Sequence, residues 1–113
     1  MKEKAIIGLT EKVKVFGDKG KKKTITARID TGATISSVDS ELAAELHLGP
    51  VVRTKLVKSA SGTKSRPVIK AKITLAKKQF VAEFTIADRK HMKYSMLIGQ
   101  NILKHGFLID PSK

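Results

Sequence analysis

Asp30, Thr31, Gly32 and Ala33 close an alternating segment, Thr24-Ile25-Thr26-Ala27-Arg28-Ile29. Alternation of apolar and polar residues reads as a strand, so the Asp30 carboxylate stands on a loop at a strand end. A carboxylate there suits general acid–base work on a water molecule. One form of that work sets a second carboxylate beside the first, one ionised and one protonated. Gly32 has no Cβ, so its backbone can come close and donate to a carboxylate. The Asp-Thr-Gly string occurs once in the chain. In that form the second carboxylate comes from another subunit, and one motif suggests both a reaction and an oligomeric state. Alone, Asp-Thr-Gly is also an ordinary turn tripeptide, so the reading depends on its surroundings.

The surrounding elements are short. Ala5 to Phe16 predicts one or two strands, and Gly17-Asp18-Lys19-Gly20 a turn into Lys21 to Ile29. Ile35 to Val38 predicts a short strand. Asp39 or Ser40 then caps a helix reaching Leu48, with Glu41 in its first turn and Leu42, Ala43 and Leu46 on one face. Gly49-Pro50 ends that helix. Val51 to Lys58 and Val68 to Leu75 predict two strands around a small polar tip, Ser59 to Ser65. Lys77-Lys78 predicts another turn. Phe80, Phe84 and Ile86 alternate with Glu83 and Thr85, giving one buried and one wetter face. After a basic loop, Asp88 to Tyr94, come Met96-Leu97-Ile98-Gly99 as a buried strand, then one or two helical turns and a stop at Gly106. Phe107 to Asp110 is a final apolar strand, which needs a partner.

Composition bounds the rest. The chain has 113 residues and no cysteine, enough for one domain with a modest core and without disulfides or thiolate metal sites. Recurrent Val, Ile and Thr favour a mainly β fold. No run approaches the roughly 18 apolar residues that would span a bilayer. The opening residues carry no apolar signal-peptide core, so no membrane partner and a cytoplasmic location are expected. The formal net charge is +13. It reads as a solvated surface or as attraction to an acidic partner. Nucleic acid is not expected as the main partner, because the few aromatics (Phe16, Phe80, Phe84, Tyr94, Phe107) are not interleaved with basic residues as a stacking platform requires.

Asp30-Thr31-Gly32-Ala33 followed by a glycine-bearing hairpin, then Leu97-Ile98-Gly99 with Gln100-Asn101-Ile102-Leu103, then an apolar terminal strand, resembles a retropepsin. Retropepsins are the dimeric single-domain aspartic peptidases of retroviruses and their cellular relatives. The resemblance covers most of residues 1–113. It implies a mainly β acid-protease half-barrel with one or two short helices, homodimeric. The strings Ala27 to Thr34 and Met96 to Leu103 are closer to a bacterial and archaeal, that is prokaryotic, family labelled ATP-dependent zinc protease. The residues supply no basis for that label: there is no His-Glu-x-x-His helix or phosphate-binding glycine loop, and His47, His91 and His105 are scattered. No metal and no cofactor is expected.

By this resemblance Asp30 is the catalytic residue, one per subunit. Thr31, Gly32, Ala33, Leu97, Ile98 and Gly99 support the catalytic loop, with Thr31 bonding across the dimer axis. Ala60, Ser61, Gly62 and Thr63 form the flap over the substrate. Two adjacent carboxylates cannot both ionise, so the dyad shares a proton and activates water for peptide hydrolysis. Ala33, standing where pepsins often carry serine, implies a pH optimum nearer neutral than pepsin's. Two departures stand out. Viral members carry an acidic residue at the position of Thr34 and arginine at that of Gln100; here both are neutral, as if exchanged as a unit. The related family is linked to an ATP-grasp ligase that adds glutamates to a ribosomal protein, which with the positive charge implies an acidic peptide or protein substrate. The alternatives are a non-catalytic dimeric peptide-binding module of the same fold and a metal-dependent peptidase, as the label says.

Overall fold

The computed structural model describes residues 3–59 and 62–113. Nine strands and two short helices follow in order: β1 (Ala5–Ile7), β2 (Thr10–Phe16), β3 (Lys22–Ile29), β4 (Ser36–Asp39), α1 (Ser40–Glu45), β5 (Val51–Ser59), β6 (Gly62–Leu75), β7 (Lys78–Ala87), β8 (Met96–Ile98), α2 (Gln100–Leu103) and β9 (Phe107–Ile109). The main sheet runs β2-β3-β8-β4-β7-β6-β5. Because β2 pairs with the end of β6 as well as with β3, the sheet curls into a closed ring. β5 and the first half of β6 project from it as a hairpin. No helix among the described residues is long and apolar enough to cross a membrane.

Period-two alternation builds the core. Val13 and Val15 on β2, Ala27 and Ile29 on β3, and Ile73 and Leu75 on β6 turn inward. Phe84, Met96, Ile98 and Ile102 fill the ring from the other side. The predicted β2–β3 hairpin forms, with Phe16 opposite Lys22 and Thr10 opposite Arg28. The final strand has its partner in the chain: β9 lies parallel to β1, with Ala5 opposite Phe107 and Ile7 opposite Ile109.

Several local expectations change. α1 stops at Glu45, and His47 (φ 52°) takes the left-handed position expected of Gly49. Leu46 is captured early, its carbonyl accepting from Asp18 N at 3.0 Å where the β2–β3 turn packs on the helix end. The tight turn lies at Ala76-Lys77, both at positive φ, because Leu75 pairs with Lys78. The two strands run further into the expected Ser59 to Ser65 tip: pairing of β5 with β6 continues from Val51 opposite Ile69 to Ser59 opposite Gly62. Ser, Thr and Lys there lack an apolar alternation, and the cross-strand ladder decides. Thr85, placed on a wetter face by its alternation, is 2% exposed. β7 pairs with β4 on one edge and with β6 on the other, and Thr85 Oγ1 donates to Ser36 O at 3.4 Å.

Candidate active site

β3 delivers Asp30 to the middle of the sheet. β8 is inserted between β3 and β4, parallel to the first and antiparallel to the second, with Ile98 opposite Ile29 and Leu97 opposite both Arg28 and Ser37. The ladder runs into the loop, since Asp30 N donates to Ile98 O at 2.9 Å. Ala33 N donates back to Asp30 O at 3.3 Å and closes the turn. Gly32 N donates to Asp30 Oδ1 at 2.9 Å, as the missing Cβ allowed. Asp30 is half-buried, with Thr31 and Gly32 exposed beside it.

The Leu97-Ile98-Gly99 segment passes behind this loop. A Cβ on Gly99 would lie 2.8 Å from Ala33 O and 3.0 Å from Ile35 O, so only glycine fits without moving backbone. Gly99 N donates to Ser36 Oγ at 2.9 Å. Gln100, first residue of α2, donates through its backbone N to Ala33 O at 2.8 Å and through Nε2 to Thr31 O at 2.7 Å. The neutral exchange of Thr34 and Gln100 is therefore no side-chain pair: the glutamine reaches the main chain of the Asp30 loop, and Thr34 is exposed.

A polar brace that the sequence did not disclose lies beneath. Asn101 Oδ1 accepts from Ser36 N at 2.9 Å and Ser36 Oγ at 2.8 Å, and Asn101 Nδ2 donates to Glu83 O at 2.9 Å. Asn101 ties α2 to β4 and β7, while Gly99 occupies the helix N-cap without a side-chain bond. Ser36, with no exposed surface, is one of two serines in the short strand expected at Ile35 to Val38 and carried no local signal that set it apart.

A cleft of about 450 Å³ opens beside the loop. Gly32 to Ile35 form one edge, and Ser37, Thr85 and Leu97 the floor. Lys55 to Lys58 and Arg66, on the arms of the hairpin, form the roof, and Arg89 closes one side. Gly62 and Thr63 lie higher, at the end of the hairpin, and Ala60 and Ser61 lie outside the described residues. Four cations, Lys55, Lys58, Arg66 and Arg89, thus line the cleft. Burial lowers the Arg89 pKa from its ordinary value; Asp39 and Asp30 oppose that, and Arg66 and Arg28 add to it. Ser37 Oγ is buried without a hydrogen-bond partner among the described residues. A larger depression of about 660 Å³, between Phe16, Asp18, His47 and Pro50, lies at the opposite end of β3. Among the described residues no three His, Asp or Glu side chains gather as a metal site.

The family described as RimB-like, retropepsin-like aspartic endopeptidase RimB, matches residues 38–113, from β4 to the last residue. The chain is 29% identical to the Desulfotalea psychrophila protein named "Probable alpha-L-glutamate ligase", over 78% of this chain and 24% of that protein. It therefore spans about a quarter of that relative's length. Among solved structures, a Legionella pneumophila protein of unknown function superposes with a TM-score of 0.66 at 23% identity, covering 96% of this chain and 95% of that one. The simian foamy virus protease superposes with a TM-score of 0.61 at 21% identity, over 84% of this chain and 91% of that one. The EIAV protease in complex with the inhibitor HBY-793 gives 0.66 at 17% identity, over 84% of each chain. These likenesses establish the fold as that of retroviral proteases.

Proposed function

The chain belongs to the RimB-like family of retropepsin-like aspartic endopeptidases, and on that premise we propose that it is a homodimeric aspartic endopeptidase with Asp30 of each subunit as its catalytic residue. The observation that carries this reading is the held but incomplete carboxylate. Asp30 Oδ1 is engaged by Gly32 N, Oδ2 has no bond within the chain among the described residues, and the loop is braced from behind by Gln100 and Gly99. A surface carboxylate in an ordinary turn has no need of that brace. One motif per chain leaves a second Asp30 to be supplied by a second subunit.

The two carboxylates then share one proton. The ionised member removes a proton from a water between them. The hydroxide equivalent adds to the peptide carbonyl, whose oxygen takes the proton of the other member. The resulting tetrahedral diol collapses as the C–N bond breaks and the amine leaves with a proton. Thr31 of each subunit bonds across the axis in this reading, and Gly62 and Thr63 close over the substrate.

An exposed apolar face supports the dimer. Ile6 and Leu108 sit opposite each other on β1 and β9 and are 53% and 51% exposed, and Leu9, between β1 and β2, is 55% exposed. Terminal strands of this kind are where a second copy would pack. The four cations of the cleft favour an acidic peptide as substrate, with attraction that weakens as salt rises.

The test is cleavage of acidic and matched neutral peptides from pH 3 to 8, for the wild type and Asp30→Asn, each with and without chelator. Bell-shaped activity that survives chelation and vanishes in Asp30→Asn is expected. Full activity in Asp30→Asn, or loss to chelator, would overturn the reading.

A further inference from the structure

We propose that Asp39 is a positioning residue for substrate binding: it sets the Arg89 side chain beside the Ser37 hydroxyl in the cleft, and those two side chains receive an anionic side chain of the substrate. This rests on the acidic-peptide reading above.

Asp39 is 5% exposed. Its Oδ2 accepts from Glu41 N at 3.1 Å, which caps α1. A cap needs one acceptor oxygen, and serine or asparagine supplies it without a buried charge. The second oxygen has a different partner: Oδ1 accepts from Arg89 N at 2.7 Å, fifty residues on. Asp39 N donates to Ser95 O at 2.8 Å. One residue therefore pins both ends of the segment that joins β7 to β8. Within that segment Met92 N donates to Arg89 O at 2.8 Å, and Arg89 Nε donates to Tyr94 O at 3.1 Å. The guanidinium is held by a loop that is itself held by Asp39.

Register brings these groups to one face. Ser37 and Asp39 are two residues apart on β4, opposite Thr85 and Ala87 of β7, so their side chains share the side of the sheet that carries the cleft. Ser37 and Arg89 both line it. Ser37 is 7% exposed and its hydroxyl lacks a partner among the described residues, a cost that a bound acceptor removes. Arg66 stands on the same cleft, and its charge together with that of Arg28 acts against Arg89, with Asp39 and Asp30 in opposition. A hydroxyl donor without an acceptor, in one cleft with two arginines, is a site for an anion.

Asp39→Ser separates the two roles, since serine can still cap α1 but is too short to bridge to Arg89. The variant is compared with Arg89→Gln and the double variant on an acidic peptide and its neutral match. Asp39→Ser should raise KM for the acidic peptide about tenfold, with the effect in KM and not in kcat, and little change on the neutral one. Ser37→Ala should shift KM in the same direction. In the double variant Asp39→Ser should add little to Arg89→Gln, because both act through one contact. An unchanged KM in Asp39→Ser, an equal rise on both peptides, or full additivity with Arg89→Gln would each overturn the proposal. The same series in an Asp30→Asn background, read as binding of the acidic peptide by fluorescence anisotropy, tests it without turnover. If the wild type cleaves nothing yet Asp39→Ser weakens that binding tenfold, the positioning role stands and the peptidase reading falls. No binding of the acidic peptide at all would sink the positioning role.

Discussion

The side-chain amide of Gln100 donates a 2.7 Å hydrogen bond to the carbonyl of Thr31, 69 residues earlier in the chain. With the 2.8 Å bond from Gln100 N to Ala33 O, one residue holds the Asp30 loop on both sides of Gly32. Gln100→Ala should lower kcat/KM about tenfold, while the unfolding midpoint moves little, because the side chain is exposed and one hydrogen bond contributes about 1 kcal/mol. Gln100→Glu should be worse than alanine, since a carboxylate can only accept and would face a carbonyl oxygen. Steady-state kinetics of both variants check the order.

Gly99 has no room for a methyl group. Its Cβ would meet the backbone of Ala33 and Ile35 at 2.8–3.0 Å, and backbone on both sides cannot swing away as a side chain tip would. Gly99→Ala should destabilise the fold by about 1–3 kcal/mol and displace the Asp30 loop. Urea unfolding gives the first and peptide cleavage by the surviving folded fraction the second. A variant with wild-type stability would mean that the two motifs are not packed as described.

Leu108 and Ile6 are half-exposed and face the same way, so a charge on either should be tolerated by the single chain. Leu108→Lys should shift sedimentation from two chains to one at micromolar concentration, keep the circular dichroism spectrum, and remove peptidase activity in parallel. Activity retained in a purely monomeric variant would contradict a shared dyad.

Asp110 follows β9 and accepts from Ser112 Oγ at 2.6 Å and Ser112 N at 2.9 Å. These bonds lower its pKa from the ordinary 3.8, and Lys113 adds slightly. The folded state therefore binds this proton less readily than the unfolded chain. The contribution is present above the ordinary carboxylate value and is lost as pH falls through the folded value. Ser112→Ala should lower stability slightly near neutrality and make the profile shallower below about pH 4, where the two proteins converge. Urea midpoints across that range measure it, and the change should be small because the group is exposed.

Elements with a local signature were legible in the sequence. Asp39 caps α1, and Leu42, Ala43 and Leu46 are buried, because a cap and a 3.6-residue period are written within one turn. The β2–β3 hairpin was legible from four turn residues. The helix end was not: packing of the β2–β3 turn on Leu46 placed the left-handed residue at His47 rather than Gly49. The length of β6 was also hidden, since its polar half takes its register from β5 and not from its own pattern.

The sequence by itself determined a mainly β chain with one carboxylate loop, one glycine-bearing segment to pack behind it, and a strongly positive net charge. Those properties are local or additive. Tertiary structure alone decided which partners the polar residues take. Ser36 meets Asn101 across 65 positions, Gln100 meets Thr31 across 69, and the second oxygen of Asp39 meets Arg89 across 50. A hydrogen bond is a matter of a few tenths of an ångström and a direction. Neither is encoded at one position, and both appear only when β8 threads between β3 and β4 and brings the two halves of the chain together.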